Sequence, residues 1–396
     1  MPDIAAIREM MPGTLETVYL NTGTCGPMPR VAFDAMVDEL RNNLSGGRAS
    51  TEHFMNLFEL WGGVREAVAG VVKADPSEIA ITNRTTEGMY VSIMGFPWQR
   101  GDELIVSNIE HPGGLLPSFL AKRRFGIRVR VADVGLGGGD PADIVRAFEE
   151  KITPRTKMIM FSHVSYTTGA ALPVKEITAM AHAHDVLVAV DAAQSYGALD
   201  LDMHDLDVDF YACPGQKWLC GPDGTGALYV KSSSVGELEQ NFAGGIVWDS
   251  LDYYGASYQA ARDSSRFDTG GWNTGLLAGQ KAATEWISNE LGMQWATNRI
   301  QEMAGYAYSA LQETEGVTMV TPREAMAGLI AFTVDKADGP TLMERMKDEH
   351  NVTLRYVTKY INNPDAARVS VGFYNNEDDI EKLVTAIQAV RATAEE

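Results

Sequence analysis

Lys217 stands in the run CPGQKWLCGPDGTGALYV, an amine flanked by Trp218, Leu219 and Cys220. Apolar surroundings lower an amine's pKa and prepare it for Schiff-base chemistry. Upstream, the apolar run of VLVAVDAAQS ends on Asp191, with Gln194 three residues further on. A carboxylate at the end of a buried strand can hold a cationic partner. The chain between Asp191 and Lys217 suffices for one loop or short helix, one strand and a turn, so both residues can converge on one cleft. A lysine is ordinarily a solvated surface charge; the apolar flanks and the aspartate argue otherwise here.

Two more strand-like runs close on polar residues. Asn83-Arg84-Thr85-Thr86-Glu87-Gly88 follows the first run and precedes a helix-compatible stretch, so its hydroxyls and free N–H groups suit a phosphate. An ordinary helix cap is the plain alternative. Ser107-Asn-Ile-Glu-His111-Pro112 follows the next run and carries an imidazole past its end. A lone histidine is more often structural, but its place at a strand end favours a role in the cleft.

These residues need a scaffold, and its pattern is legible. Candidate strands are IAIT (79–82), ELIVS (103–107), RVRVAD (128–133), KMIMFSH (157–163), VLVAVD (186–191), FYAC (210–213) and GALYV (226–230). Helical stretches separate most of them, the signature of a largely parallel, helix-covered sheet. Ligands of such sheets sit beyond the carboxyl ends of the strands. From Gly244 to Asn273 the composition turns to Gly, Tyr, Trp, Ser and Asp, as in a connecting or active-site loop. A helix is expected over 274–313, followed by strands GLIAFTV, TLRYV and RVSVGFY and a C-terminal helix, a smaller α+β domain. The boundaries read as an N-terminal segment 1–20 packing with the small domain, a large domain 21–262 and a small domain 263–396.

The chain has 396 residues, 45% hydrophobic, enough for a sizeable core. Its 53 acids against 33 Lys and Arg give a net charge of −20, which argues against nucleic acid or anionic membrane as the main partner. Cys25, Cys213 and Cys220 make neither a disulfide framework nor a metal cluster, and a reducing cytoplasm is expected. The N-terminus does not read as a signal peptide and no segment reaches the length of a membrane span. Gly135-Leu-Gly137-Gly-Gly139 reads as a flexible turn. His182 and His184 read as solvated helix residues, with no metal. The aromatic group Trp248, Tyr253, Tyr254, Tyr258 and Trp272 suits either a pocket roof or an interface.

A lysine, an aspartate, a glutamine, a histidine and a threonine pair at strand ends are what pyridoxal phosphate (PLP) requires. The segments YLNTGTCGPMP, ITNRTTEG, SNIEHPGG, SHVSYTTGAALP, VDAAQSYG, GQKWLCGPDGTGALYV, SRFDTGG and RVSVGFYNNEDDI occur in order. The chain thereby resembles the class V aminotransferase group of fold-type I PLP enzymes, which includes cysteine desulfurases, isopenicillin N epimerase-like proteins and cystine C–S lyases. The resemblance implies an α/β fold with a large, mostly parallel sheet domain and a smaller α+β domain. It implies Lys217 as the Schiff-base lysine and Asp191 opposite the pyridine nitrogen. Gln194 would face the phenolic oxygen and His111 would stack on the ring, with Thr85, Thr86 and Gln216 at the phosphate. Arg368, with Arg355, Asn21 and Tyr166, falls where substrate is bound.

Some positions depart from the desulfurase pattern. Gln216 replaces a histidine, Pro214 a hydroxyl residue and Tyr166 an asparagine. Gly271 replaces a threonine that reaches across a dimer, with Thr269 or Asn273 as substitutes. No cysteine lies between Arg355 and Arg368 to accept sulfur. The resemblance therefore points first to C–S lyase chemistry on cystine or an S-substituted cysteine, with an epimerase or an aminotransferase as alternatives and a desulfurase behind them. A homodimer with its active site near the subunit interface and an amino acid substrate is expected.

Overall fold

The computed structural model describes residues 2–244, 247–357 and 365–393. Seven strands form one sheet in the spatial order Ile79–Thr82, Gly226–Val230, Phe210–Pro214, Leu187–Asp191, Thr156–Ser162, Glu103–Ser107, Arg128–Ala132. Gly226–Val230 is antiparallel to both neighbours, and every other pairing is parallel. Successive strand residues point to opposite faces, and the two faces feed different cores. Ile79, Ile81, Ile105, Ile159, Val188 and Val190 join one core; Ala80, Leu104, Val106, Met158, Met160 and Ala189 join the other. Burial on both faces explains why these strands read as continuous apolar runs rather than as alternation. The exception is the edge strand Arg128–Ala132, where Arg130 instead pairs with Glu103 at 3.1 Å, a charged edge that discourages further strand addition.

The four-stranded second sheet runs Val317–Met319, Leu329–Val334, Ala366–Ser370, Arg355–Val357, antiparallel throughout. Its core takes Met303, Ala307 and Leu311 from helix Met293–Glu313, Leu342 and Met346 from Gly339–His350, and Leu383 and Ile387 from Glu377–Thr393. The N-terminal segment is stitched to this part: Val18–Tyr19 pairs with Val352–Thr353, and Ser370 N–H donates to the Leu20 carbonyl at 2.8 Å. Helix Thr274–Glu285 packs instead against Arg30–Gly46 and Thr51–Val72. The single helix expected over 274–313 is broken by a wide π-type turn over Trp286–Gly292, where Gly292 takes φ of 88°.

The strand expected over 368–374 stops at Ser370, because Asn375 Oδ1 captures the Gly372 N–H at 2.8 Å and turns the chain. Gly169 marks the junction of the two sheets. It adopts φ of 74°, and Ala171, two residues on, donates to the Ala325 carbonyl at 2.7 Å. A side chain there would collide with the Leu329 backbone, so only glycine fits. His182 is not a solvated residue: it is half-buried, with Nε2 2.9 Å from Asp209, which raises its pKa. His184 lies past the helix end and is exposed. Among the described residues no helix is long and apolar enough to cross a membrane.

Candidate functional site

The carboxyl ends of the central strands open into a cavity of about 520 Å³. Polar groups at or just past several strand ends line it. Asp191 closes Leu187–Asp191 and is buried, its Oδ1 accepting the Ala193 N–H at 2.9 Å. Behind it the backbone is tied to the neighbouring strand, since His163 N–H donates to the Asp191 carbonyl at 3.0 Å. Gln194 turns back from the same strand. Its Nε2 donates to the Gly23 carbonyl at 2.8 Å and its Oε1 accepts from Trp218 Nε1 at 3.0 Å, which fixes the amide orientation.

Lys217 sits in the loop joining Phe210–Pro214 to Gly226–Val230. That loop is pinned by Gly26 N–H to the Gln216 carbonyl at 2.8 Å and Cys220 N–H to the Lys217 carbonyl at 3.0 Å. Burial drives the amine's pKa down to about 8, against the opposing pull of Asp191. Near neutrality the lysine is therefore far closer to its nucleophilic form than a surface lysine.

His111 caps helix Pro112–Phe125, its Nδ1 accepting the Gly113 N–H at 2.9 Å. That bond leaves the ring proton on Nε2, and burial lowers the imidazole pKa, so the ring is neutral. Its partner in the wall is Tyr166, edge-on at 4.7 Å. Thr85 and Thr86 open helix Thr85–Gly95. Thr85 is buried with an unpartnered Oγ1, Thr86 is exposed, and the buried amide oxygen of Gln216 also lacks a partner.

At the opposite end Arg368 is 3% exposed. Its Nη1 donates to the Tyr166 carbonyl at 2.9 Å and Nη2 to Thr24 Oγ1 at 3.3 Å, while buried Nε has no partner. Burial, aided by Arg355, lowers its pKa to about 10. Arg355 is its register partner on the adjoining strand and also lines the cavity. Among the described residues the wall thus carries four cationic side chains, Arg84, Lys217, Arg355 and Arg368, against the single carboxylate of Asp191. In a chain of net charge −20, such a concentration of positive charge fits an anionic ligand with groups at both ends.

Ten of the eleven residues expected at the site line this cavity: Thr85, Thr86, His111, Tyr166, Asp191, Gln194, Gln216, Lys217, Arg355 and Arg368. Asn21 does not. It stands behind Thr24, whose hydroxyl donates to Asn21 Oδ1 at 2.8 Å, and so acts on Arg368 through Thr24. Gly271 and Asn273 line a different cavity, of about 580 Å³, beside helices Arg30–Gly46 and Thr51–Val72, and Asn273 Oδ1 is spent capping Thr274–Glu285. The aromatic group is not one cluster. Trp248, Tyr253, Tyr254 and Tyr258 lie on or beside an exposed hairpin formed by Trp248–Asp252 and Ser257–Ala260, whereas Trp272 meets Trp61 edge-on at 4.9 Å.

Thr24 and Glu110 escaped the sequence reading. Glu110 is fully buried, accepts from the Ser107 and Ser162 hydroxyls, and has its pKa pushed by burial to about 7. Its one sequence signal, adjacency to His111, says nothing of the inward turn that buries it. Of the three thiols, Cys213 and Cys220 are buried with pKa values pushed up by desolvation. Cys25 is half-buried against Asp223, also with a raised pKa, and no cysteine lines the cavity among the described residues.

The orphaned Thr85, Gln216 and Arg368 atoms, the near-neutral amine and the unbalanced positive charge fit a cofactor with a phosphate, a carbonyl and a ring nitrogen, next to a carboxylate-bearing substrate. Comparison with known proteins points the same way. Over 97% of both chains the sequence is 27% identical to a probable cysteine desulfurase of Methanothermobacter thermautotrophicus. It is 29% identical to isopenicillin N epimerase of Streptomyces clavuligerus over 94% of each. The solved complex of the cystine C–S lyase C-DES with its product cysteine persulfide superposes with a TM-score of 0.88 at 28% identity, covering 95% of this chain and 98% of that one. A C-DES mutant with glycine covalently linked to the PLP cofactor gives 0.89 at 27% identity, covering 98% and 99%. The model of the class V aminotransferases matches residues 18–383, and the chain belongs to that family.

Proposed function

We propose that this PLP-dependent enzyme of the class V aminotransferase family is a C–S lyase, cleaving cystine or an S-substituted cysteine into pyruvate, ammonia and a persulfide or thiol. The observation that carries the choice is the placement of the thiols. None lines the cavity among the described residues, and the stretch between Arg355 and Arg368, of which 358–364 lie outside the described residues, contains no cysteine in its sequence. Cys25, the thiol that feels Lys217, is turned to Asp223 with a raised pKa, so no thiolate acceptor lines the cavity among the described residues and sulfur leaves with part of the substrate.

When bound, the cofactor supplies an electrophilic carbonyl for amines and a ring that accepts electron density from Cα. The chain's own residues do the rest. Arg368, already held by Tyr166 and Thr24, takes the substrate carboxylate with its remaining N–H groups and fixes the rotation of the amino acid. Lys217, a buried amine with a lowered pKa, would serve as the free base that takes the proton from the substrate's Cα. The electron pair left at Cα forms the Cα–Cβ double bond as the Cβ–S bond breaks, and sulfur departs with the bonding pair. Water then releases pyruvate and ammonia. Asp191 would keep the cofactor's ring nitrogen protonated, and the neutral His111 would line the cavity beside it without adding a second positive charge. Thr85, Thr86 and Gln216 hold the phosphate through hydroxyl, amide and helix N-terminal donors.

Support for a homodimer comes from the exposed apolar side chains of Phe33, Leu40, Leu44, Phe54, Met55 and Phe58 on helices Arg30–Gly46 and Thr51–Val72, beside the cavity that holds Gly271 and Asn273. The deciding experiment is a product analysis with cystine and with S-methylcysteine. Pyruvate, ammonia and persulfide or methanethiol are expected in equal amounts. Alanine with a persulfidated cysteine makes the enzyme a desulfurase. α-Hydrogen exchange with inversion and no pyruvate makes it an epimerase, the reading that the Streptomyces relative supports.

A further inference from the structure

We infer that Arg84 is a phosphate ligand of the bound cofactor, supplying the positive charge at an anion site otherwise made of neutral donors. The inference rests on the PLP reading of the cavity. Arg84 is the N-cap of helix Thr85–Gly95, with extended backbone and no side-chain capping bond. Its carbonyl receives the Glu87 and Gly88 N–H groups at 3.1 and 3.4 Å, the helix's own first bonds, and the guanidinium, a donor only, takes no part in capping. Its main chain is clamped against the adjoining strand. A Cβ on Gly226 would meet Arg84 N and Cα at 3.0 Å, which fixes where the side chain starts.

Two observations then point to a ligand. An arginine at a helix N-terminus has the wrong sign for the helix dipole. Arg84 is exposed and lines the cavity, and its guanidinium has no ion pair or hydrogen bond among the described residues, although the chain holds 20 more acids than bases. Next to it, the buried Thr85 Oγ1 and the Gln216 amide oxygen lack partners in the same wall. An anion with several oxygens relieves all of this at once: it accepts from the free N–H groups of the first turn and from Thr85, and it pairs with Arg84. Rotation of the Gln216 amide turns its NH₂ toward the same oxygens. A carboxylate is too small to use the whole set, and the carboxylate position is already furnished by Arg368 at the far end.

Apoprotein titrations separate the phosphate contribution from everything else. Wild type, Arg84→Gln and Arg84→Lys are titrated with PLP, with pyridoxal, which lacks the phosphate, and with inorganic phosphate, following tryptophan fluorescence and near-ultraviolet absorbance. Loss of one charge-assisted contact should weaken PLP and inorganic phosphate by about tenfold to a hundredfold in Arg84→Gln. Pyridoxal affinity should not change, and Arg84→Lys should recover part of the loss. Equal PLP affinity in Arg84→Gln and wild type overturns the inference, as does equal weakening of PLP and pyridoxal, which would mark a structural role. Should Arg84→Gln fail to fold by circular dichroism, Arg84→Lys against wild type carries the same comparison, with unchanged phosphate affinity and salt dependence as the overturning result. A wild-type protein that binds pyridoxal and PLP equally sinks the phosphate site but leaves a carbonyl-binding lysine. One that binds neither sinks the cofactor reading itself.

Discussion

The two ends of the cavity are built on different principles. The end at Thr85 is framed by backbone: a strand, a sharp entry and a helix N-terminus whose donors are fixed by the same hydrogen bonds that make the helix. The end at Arg368 is assembled from three separate pieces: the Gly23–Thr24 segment, the Tyr166 carbonyl and the small antiparallel sheet. It also carries unrelieved repulsion, since Arg355 and Arg368 face each other across strands, an arrangement that costs stability until an anion joins them. A permanent ligand suits the first end and an exchanging one the second. Asp191, on a strand end, and Lys217, in a loop pinned by backbone hydrogen bonds, lie between, where small displacements would be most damaging to the chemistry.

If that contrast holds, damage to the middle abolishes turnover, damage to the Thr85 end weakens the cofactor, damage to the Arg368 end weakens substrate alone, and damage outside the cavity does little. Lys217→Ala should have the largest effect, a loss of about 10⁴-fold in kcat with the fold intact, because it removes the base. Borohydride should fix the cofactor covalently to wild type and not to this variant, and full turnover by Lys217→Ala would break the assignment. Asp191→Ala comes next. Removing one member of a buried charged contact costs roughly 3 to 5 kcal/mol, or roughly two to four decades in rate, with near-normal kinetics showing that the ring lies elsewhere.

Arg368→Ala should raise KM by roughly tenfold to a hundredfold, as expected for a lost charge-assisted contact to a carboxylate, while leaving PLP affinity and absorbance alone. Loss of PLP from this variant would erase the distinction between the two ends. Uptake of the cofactor by apoprotein should depend on pH with the sign set by Lys217. Only the neutral amine attacks a carbonyl, so below its pKa of about 8 the uptake rate should fall by about tenfold per unit, and above it should level off. A stopped-flow series from pH 6 to 9 measures this, and a plateau already at pH 6 would contradict it. The smallest effect belongs to the thiols. Replacing Cys25, Cys213 and Cys220 together by Ser or Ala, in a variant shown to fold and hold PLP, should leave pyruvate release from cystine largely intact, and abolished turnover would restore the desulfurase reading.

The central strands and the residues that close them were legible because they obey local rules. A strand buried on both faces reads as an unbroken apolar run, and the polar residue ending it lies at the edge where ligands bind. Lys217, Asp191, His111 and the threonine pair all belong to this class. Their chemistry can be argued from type and position before any contact is known. The −20 charge was equally plain, though it hid a cavity wall with, among the described residues, four cations and one carboxylate.

Tertiary structure decided what depends on distant parts meeting. That Asn21 supports Thr24 rather than reaching the cavity depends on where the N-terminal segment crosses the small sheet, some 350 residues away in sequence. Whether Glu110 turns inward beneath Ser107 and Ser162, whether His182 finds Asp209, and which arginine faces which across the small sheet are facts of register and packing. No periodicity encodes them, because each is set by a partner strand whose alignment only folding fixes. The same holds for the division of the aromatic residues between an exposed hairpin and the Trp61 contact, and for the free guanidinium of Arg84. The sequence determined which groups were available for chemistry; their surroundings, and therefore their charges, came from burial.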